Sequence, residues 1–286
     1  MNLDQIIAKT FADMPARYSK RDTMLYALGV QAIQDPLDTA SLRFVYEREL
    51  QALPSLACVV AHPGMWIADK ALEVNVVKLV HAEQHFALDM ALPVEADIVG
   101  RCKITGVVDK GAEKGALLYF TKELFMADGR RIGKVDSTYF LRADGGTGNW
   151  GTPGAELPAV PETAPSGAIE VPTLPIAGLI YRLSGDYNPL HSDPEIAKKA
   201  GFEKPILHGL CTYGIACQSL IRSAGGGDAS RLRAMGARFT KPVYPGETIR
   251  TEYWTGANGA LQFRCISLER KEVVLDRGTA TLVDAA

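Results

Sequence analysis

Between residues 210 and 223, Leu210, Tyr213, Gly214, Cys217 and Ile221 recur at three- and four-residue intervals. That spacing predicts a helix with one face buried against a core. Gly225, Gly226 and Gly227 then mark its end. Further on, residues 249–254 and 261–266 alternate in polarity, as half-buried antiparallel strands do, and residues 279–283 add a third strand-like run. The first half follows a similar order. A helix-like stretch at 24–30 precedes apolar, strand-like runs at 76–80, 116–120 and 137–141.

Residues 143–171 interrupt both patterns with Gly145, Gly146, Gly148, Gly151, Pro153, Gly154, Pro158, Pro161 and Pro165. Such a stretch predicts a linker, which divides the chain into a first half (1–142), a linker (143–171) and a second half (172–286). A local marker repeats across it. Pro93, Glu95 and Ile98 in one half, and Pro245, Glu247 and Ile249 in the other, put a proline turn and a glutamate ahead of a strand. Proline turns before strands are common, but their matching position relative to a helix and a strand set favours duplication. A helix followed by several antiparallel strands is an α+β plan in which the sheet can wrap the helix.

Composition narrows the function classes. With 31 Lys and Arg against 33 Asp and Glu, the net charge is −2, and no basic block is present to neutralise nucleic-acid phosphates. The longest apolar run is far shorter than the roughly 20 residues of a spanning helix. The first residues lack a basic-then-apolar secretion layout, and the last are no Ser-Lys-Leu address. Cys58, Cys102, Cys211, Cys217 and Cys265 are scattered, mostly in apolar contexts, which predicts buried free thiols. No spacing suggests a metal. These features together predict a soluble, cytoplasmic, metal-free protein.

The candidate chemistry lies in residues 181–191. Within it stand an acid, Asp186, an amide, Asn188, and an imidazole, His191, with Gly185 and Pro189 shaping the backbone between them. Asp193 then suits an N-cap, Pro194 a first helical position and Gly201 a stop, so a short helix anchors the loop just after His191. A Gly-Asp turn beside a histidine can be purely structural; the same residues also make an acid/base pair on a rigid scaffold. Gly209 falls where the long helix begins. Backbone N–H groups there have no partner inside the helix and favour negative charge, so Gly209 is either an oxyanion site or an ordinary helix start. His208 caps or packs, and is not counted among the catalytic residues.

The segment 181–191, with its core of Asp186, Asn188, Pro189 and His191, closely resembles the signature of the MaoC-like dehydratases, which include the (R)-specific enoyl-CoA hydratases. The resemblance extends over nearly the whole chain, through 21–29, 81–84, 206–210 and 238–248. In length and order the chain is similar to the hydratase portion of the peroxisomal multifunctional enzyme. The resemblance implies a double hot-dog fold: two tandem hot-dog repeats, with an antiparallel sheet wrapped around a long central helix. It implies a hydro-lyase of fatty-acid metabolism that adds water reversibly to a trans-2-enoyl-CoA. Asp186 and His191 match the acid/base pair, and Asn188 a polar residue that fixes the water or the pair. Gly209 matches the amide that binds the thioester oxygen. His81, Ala82, Lys110, Tyr187, Pro189, Leu190 and Phe239 fall on substrate-binding positions; relatives often have glycine where Ala82 stands. The first half has no copy of the motif, which implies one active site per chain and a first repeat opened to receive the acyl tail. No cofactor is implied, because CoA is part of the acyl-CoA substrate, and the family implies a homodimer. Sister dehydratases of other thioesters, hot-dog thioesterases and non-catalytic acyl-CoA binders are the competing readings, since fold does not fix function.

Overall fold

The computed structural model describes residues 1–284. Eleven strands form one sheet: β1 (Met14–Tyr18), β2 (Leu79–Leu88), β3 (Ala96–Asp109), β4 (Ala116–Met126), β5 (Arg131–Leu141), β6 (Trp150–Gly151), β7 (Gly167–Pro172), β8 (Leu232–Phe239), β9 (Thr248–Thr255), β10 (Ala260–Ser267) and β11 (Glu272–Leu282). The order is β1-β3-β4-β5-β2-β8-β11-β10-β9-β7, with β6 added on β3. Outward from the antiparallel β2–β8 pair, the two halves run β2-β5-β4-β3-β1 and β8-β11-β10-β9-β7. Both halves thus use their strands in the same order, and the proline turns of the repeated marker lead into the equivalent strands β3 and β9.

The helices are α1 (Leu3–Ala8), α2 (Lys20–Gly29), α3 (Thr39–Leu42), α4 (Ala177–Tyr181), α5 (Pro194–Lys199) and α6 (Gly209–Ser223). Helix α6 is the buried helix that the periodicity predicts, inaccessible from Cys211 through Ile221. Tyr213 Oη donates to Met235 O on β8 (2.7 Å), which satisfies the one polar atom of a large buried ring. Gly214 lets α6 approach the end of α2: a Cβ there would collide with Val30 Cγ1.

Among the described residues there is one such helix. The expected first-half counterpart of α6 is α2, but each of α2 and α4 directly follows the edge strand of its own half, and their Tyr26 and Tyr181 rings lie 6.1 Å apart. Helix α2 therefore corresponds to α4. Where the first repeat would carry a long central helix, it has short 3-10 turns at Pro54–Cys58, Trp66–Ala68 and Lys70–Leu72. Pro54, Pro63 and Gly64 deny that stretch a helical run.

Two boundaries also differ. Of the run 76–80 only Leu79 and Val80 enter β2, because the Asn75 side chain accepts from Lys78 N–H and holds a turn, leaving Val77 91% exposed. The stretch 143–171 ends in β7, an edge strand paired with β9. Its start lies on the first half, where β6 pairs with β3 and Asp109 accepts from Gly146 and Gly148 N–H; its middle is laid along the second half, where Trp254 Nε1 donates to Thr163 O and Gln262 Nε2 to Ala159 O. Proline and glycine exclude the stretch from a central strand but not from an edge. All five cysteines are free, and all but Cys102 are buried. Among the described residues, no helix is long and apolar enough to cross a membrane.

Candidate active site

The loop after α4 is shaped by local hydrogen bonds. Gly185 takes φ +116°, a conformation other residues resist. The Asp186 carboxylate accepts from Asn188 N–H (3.1 Å), and the Asn188 amide oxygen from Leu190 N–H (3.0 Å). Pro189–His191 then forms a 3-10 turn, and Asp193 caps α5 by accepting from the N–H groups of Glu195 and Ile196. These turns explain how so short a loop holds its polar side chains in register.

Donor atoms of Asp186, His191 and His208 lie within 4.8 Å of one another. The His191 Nδ1–H donates to Ile206 O (2.8 Å), so the lone pair of the neutral ring sits on Nε2. His208 Nε2–H donates to the backbone oxygen of Asp186 (3.1 Å), and the two imidazoles stack with centroids 3.8 Å apart. His208 is also the N-cap of α6, with no side-chain bond to the helix. Its carbonyl accepts from Cys211 and Thr212 N–H, which leaves Gly209 N–H without a partner among the described residues. Gly209 is exposed, and the Phe239 ring lies where a side chain at Gly209 would begin.

The first half closes the site from the other side. His81 stands at the start of β2, and its ring lies 4.9 Å from Phe239 at the end of β8 and 5.3 Å from Tyr139. Register requires this neighbourhood, because β2 and β8 run antiparallel and are clamped beside it by the Arg238–Glu83 ion pair (2.7 Å). Ala82 is the extra residue of a β-bulge, since β2 slips against β5 between His81 and Glu83. Bulges re-aim neighbouring side chains, and here His81 Nε2 is buried with no hydrogen-bond partner among the described residues. His62, on the loop before Trp66, accepts from Gly64 N–H through Nδ1 (3.1 Å), so its Nε2 carries the proton.

Electrostatics keep these imidazoles neutral. Burial pushes His81 and His208 down to about 4, against opposing pulls that include the Asp186 charge. His62 keeps part of its surface in solvent, and burial of the rest, then the Lys122 and His81 charges, push it down to about 3. Burial also lowers His191, opposed by Ile206 O and Asp186. The unfolded chain takes up these protons near pH 6.5, whereas the folded chain takes them up only at lower pH. Stability is therefore complete above about pH 6.5 and erodes as pH falls toward about 4. Urea titrations at pH 7.5 and 5.5 should show the midpoint falling; an unchanged midpoint would mean these imidazoles titrate in the fold as they do in the unfolded chain.

Contacts thus link Asp186 and His191 to His208, and Gly209 to Phe239 and His81, while Asn188 shapes the loop and Ala82 the bulge beside His81. Pro189 and Leu190 belong to the same loop as Asn188, and Tyr187 stands at its surface, 58% exposed with Arg182 over its ring at 4.8 Å. Lys110 is different: it sits exposed in the β3–β4 hairpin, three strands from β2, at the same end of the sheet. Sequence reasoning set aside His208, which the structure places within the cluster. It passed over His62 and Tyr139, for which no periodicity or spacing gives a signal.

The second half, over residues 156–276, matches the family model described as MaoC like domain, and residues 17–143 match that of the MFE-2 hydratase 2 N-terminal domain. The chain belongs to the MaoC-like hydratases and dehydratases. It is 39% identical over 253 residues to 3-hydroxyacyl-thioester dehydratase Y of Mycobacterium tuberculosis, covering 86% of this chain and 85% of that one. It is 36% identical over 273 residues to the peroxisomal enoyl-CoA hydratase 2 of Arabidopsis thaliana, covering 88% and 87%. The crystal structure of a MaoC-like dehydratase from Phytophthora capsici covers all of both chains at 31% identity with a TM-score of 0.87. The fold is the double hot dog of this family, with its central helix kept in the second repeat alone.

Proposed function

We propose that the chain is an (R)-specific enoyl-CoA hydratase, a hydro-lyase that interconverts trans-2-enoyl and (3R)-hydroxyacyl thioesters of CoA. One observation carries this reading. An acid, Asp186, and an imidazole with a free Nε2 lone pair, His191, lie in the cleft of an open helix-start amide at Gly209. A mere binder has no need of the pair.

The chemistry follows from the atoms. The thioester oxygen accepts from Gly209 N–H, which stabilises the negative charge that grows there as C3 is attacked. His191 Nε2 takes one proton from water while the water oxygen bonds to C3, and returns that proton to C2. The Asp186 carboxylate orients the water and stabilises the transient imidazolium, the role a carboxylate plays beside other catalytic histidines. His208 acts as a positioning residue by holding the Asp186 backbone and flanking the His191 ring. Neutral at working pH, it leaves the imidazolium unopposed by a second positive charge. Neither metal nor redox cofactor enters this scheme, and CoA arrives as part of the substrate. With the same reading goes a homodimer in the cytoplasm, for which five free cysteines support a reducing compartment.

Loss of the double-bond absorbance of crotonyl-CoA, followed by chiral analysis of the product, tests the assignment. The expected product is (3R)-hydroxybutyryl-CoA. An (S)-product, or release of free thiol in place of hydration, would overturn it.

A further inference from the structure

The expectation that the first repeat is opened for the acyl tail meets an obstacle inside that repeat. From Gly209 a run of rings leads inward: Phe239, then His81 at 4.9 Å, then Tyr139 at 5.3 Å, then Trp66 at 6.2 Å. Trp66 stacks on Phe120 at 5.0 Å and 21°, and Phe11 packs edge-on against both, at 5.3 and 5.6 Å. Trp66 is 9% exposed and Phe120 1%. Coenzyme A is too polar to enter such a core, so the acyl end is the part of the substrate that points along these rings.

The rings are held in place. Trp66 rides on the 3-10 turns that replace the missing helix, and α1 ties those turns down. Lys9 Nζ pairs with Asp69 (2.7 Å), Asn2 N–H donates to Leu72 O (2.8 Å), and Ile6 is fully buried in the same cluster as Trp66 and Leu72. From the opposite side, Lys122, on the same inward face of β4 as Phe120, donates to Cys58 O (3.2 Å) and Val60 O (2.5 Å) and fixes the preceding loop.

We propose that Trp66, stacked on Phe120 and pinned by α1, ends the acyl pocket a short way beyond the reacting carbons, so that this chain selects short enoyl-CoA thioesters. The inference rests on the hydratase reading for its substrate class. A ring in van der Waals contact with its neighbours yields no room without costly repacking, and interiors as dense as this tolerate added methylenes poorly.

Binding of saturated acyl-CoAs from acetyl to dodecanoyl, measured by calorimetry, reads the pocket without any chemistry. Each methylene that finds apolar cover tightens binding about fourfold. In the wild type the gain should stop after the first few methylenes; in Trp66→Ala it should continue to longer chains, with at least a tenfold gain for dodecanoyl-CoA. Trp66→Leu, which keeps an apolar filler, serves if the alanine variant melts too low, and should shift the plateau in the same direction. Wild-type affinity that climbs steadily to dodecanoyl-CoA, or a plateau that neither variant moves, would overturn the proposal. A correct plateau in a protein that hydrates no enoyl-CoA would instead sink the hydratase reading and leave the pocket length standing.

Discussion

Asp186→Asn is expected to lower crotonyl-CoA hydration by about a thousandfold, within the range that a general acid or base contributes, while the protein stays folded. The fold should survive because the role of Asp186 in its own turn needs only an oxygen. The asparagine amide oxygen can still accept from Asn188 N–H, and the backbone oxygen still accepts from His208. What is lost is the negative charge that orients the water and stabilises the imidazolium. His191→Ala should cost as much or more, since it removes the nitrogen that carries the proton. The double variant should be little worse than either single one, because groups that act as a unit are strongly non-additive. The pH profile gives an independent check. His191 is active when neutral, so kcat/KM should be full at high pH and decline as pH falls through its titration, which burial places below the usual 6.5. Near-normal hydration by a folded variant would remove that residue from the chemistry.

Residues that carry this chemistry stood out in the sequence because they are local. Asp186, Asn188, Pro189 and His191 lie in one loop, and the turn bonds that shape it run between near neighbours. Helix α6 was equally plain, since its apolar spacing is long and unbroken and it is buried on almost every side. The far wall of the cleft was hidden for the opposite reason. His81 meets Phe239 only through the pairing of β2 with β8, a contact between residues 158 positions apart, 239 less 81. His81 and Phe239 were placed by family resemblance, and no pattern in the residues would have found them. His62 belongs to the segment that replaces a helix with 3-10 turns, where neither a 3.6- nor a 2-residue period applies. His208 was visible but underrated: beside a helix start it looks like a cap, and only its stacking on His191 shows otherwise.

Gly209→Pro is expected to reduce kcat by about a hundredfold to a thousandfold, the cost of removing one oxyanion donor. Proline deletes the N–H and adds a small ring. It is well tolerated as the first residue of a helix, where the missing hydrogen has no partner inside the helix. Gly209 is that first residue, and its N–H bonds to no described residue. A substituent here does press on Phe239, whose Cε1 would lie 3.2 Å from a new Cβ. Gly209→Ala is therefore the necessary control, because it brings the same Cβ against Phe239 and keeps the N–H. If the amide binds the thioester oxygen, the proline variant should fall well below the alanine variant in kcat. The same two variants should differ little in affinity for a saturated acyl-CoA, since the donor is worth most to the charge that develops during attack on C3. Equal losses in both variants would instead assign the effect to Phe239 and the shape of the cleft, and the site would need another source of charge stabilisation.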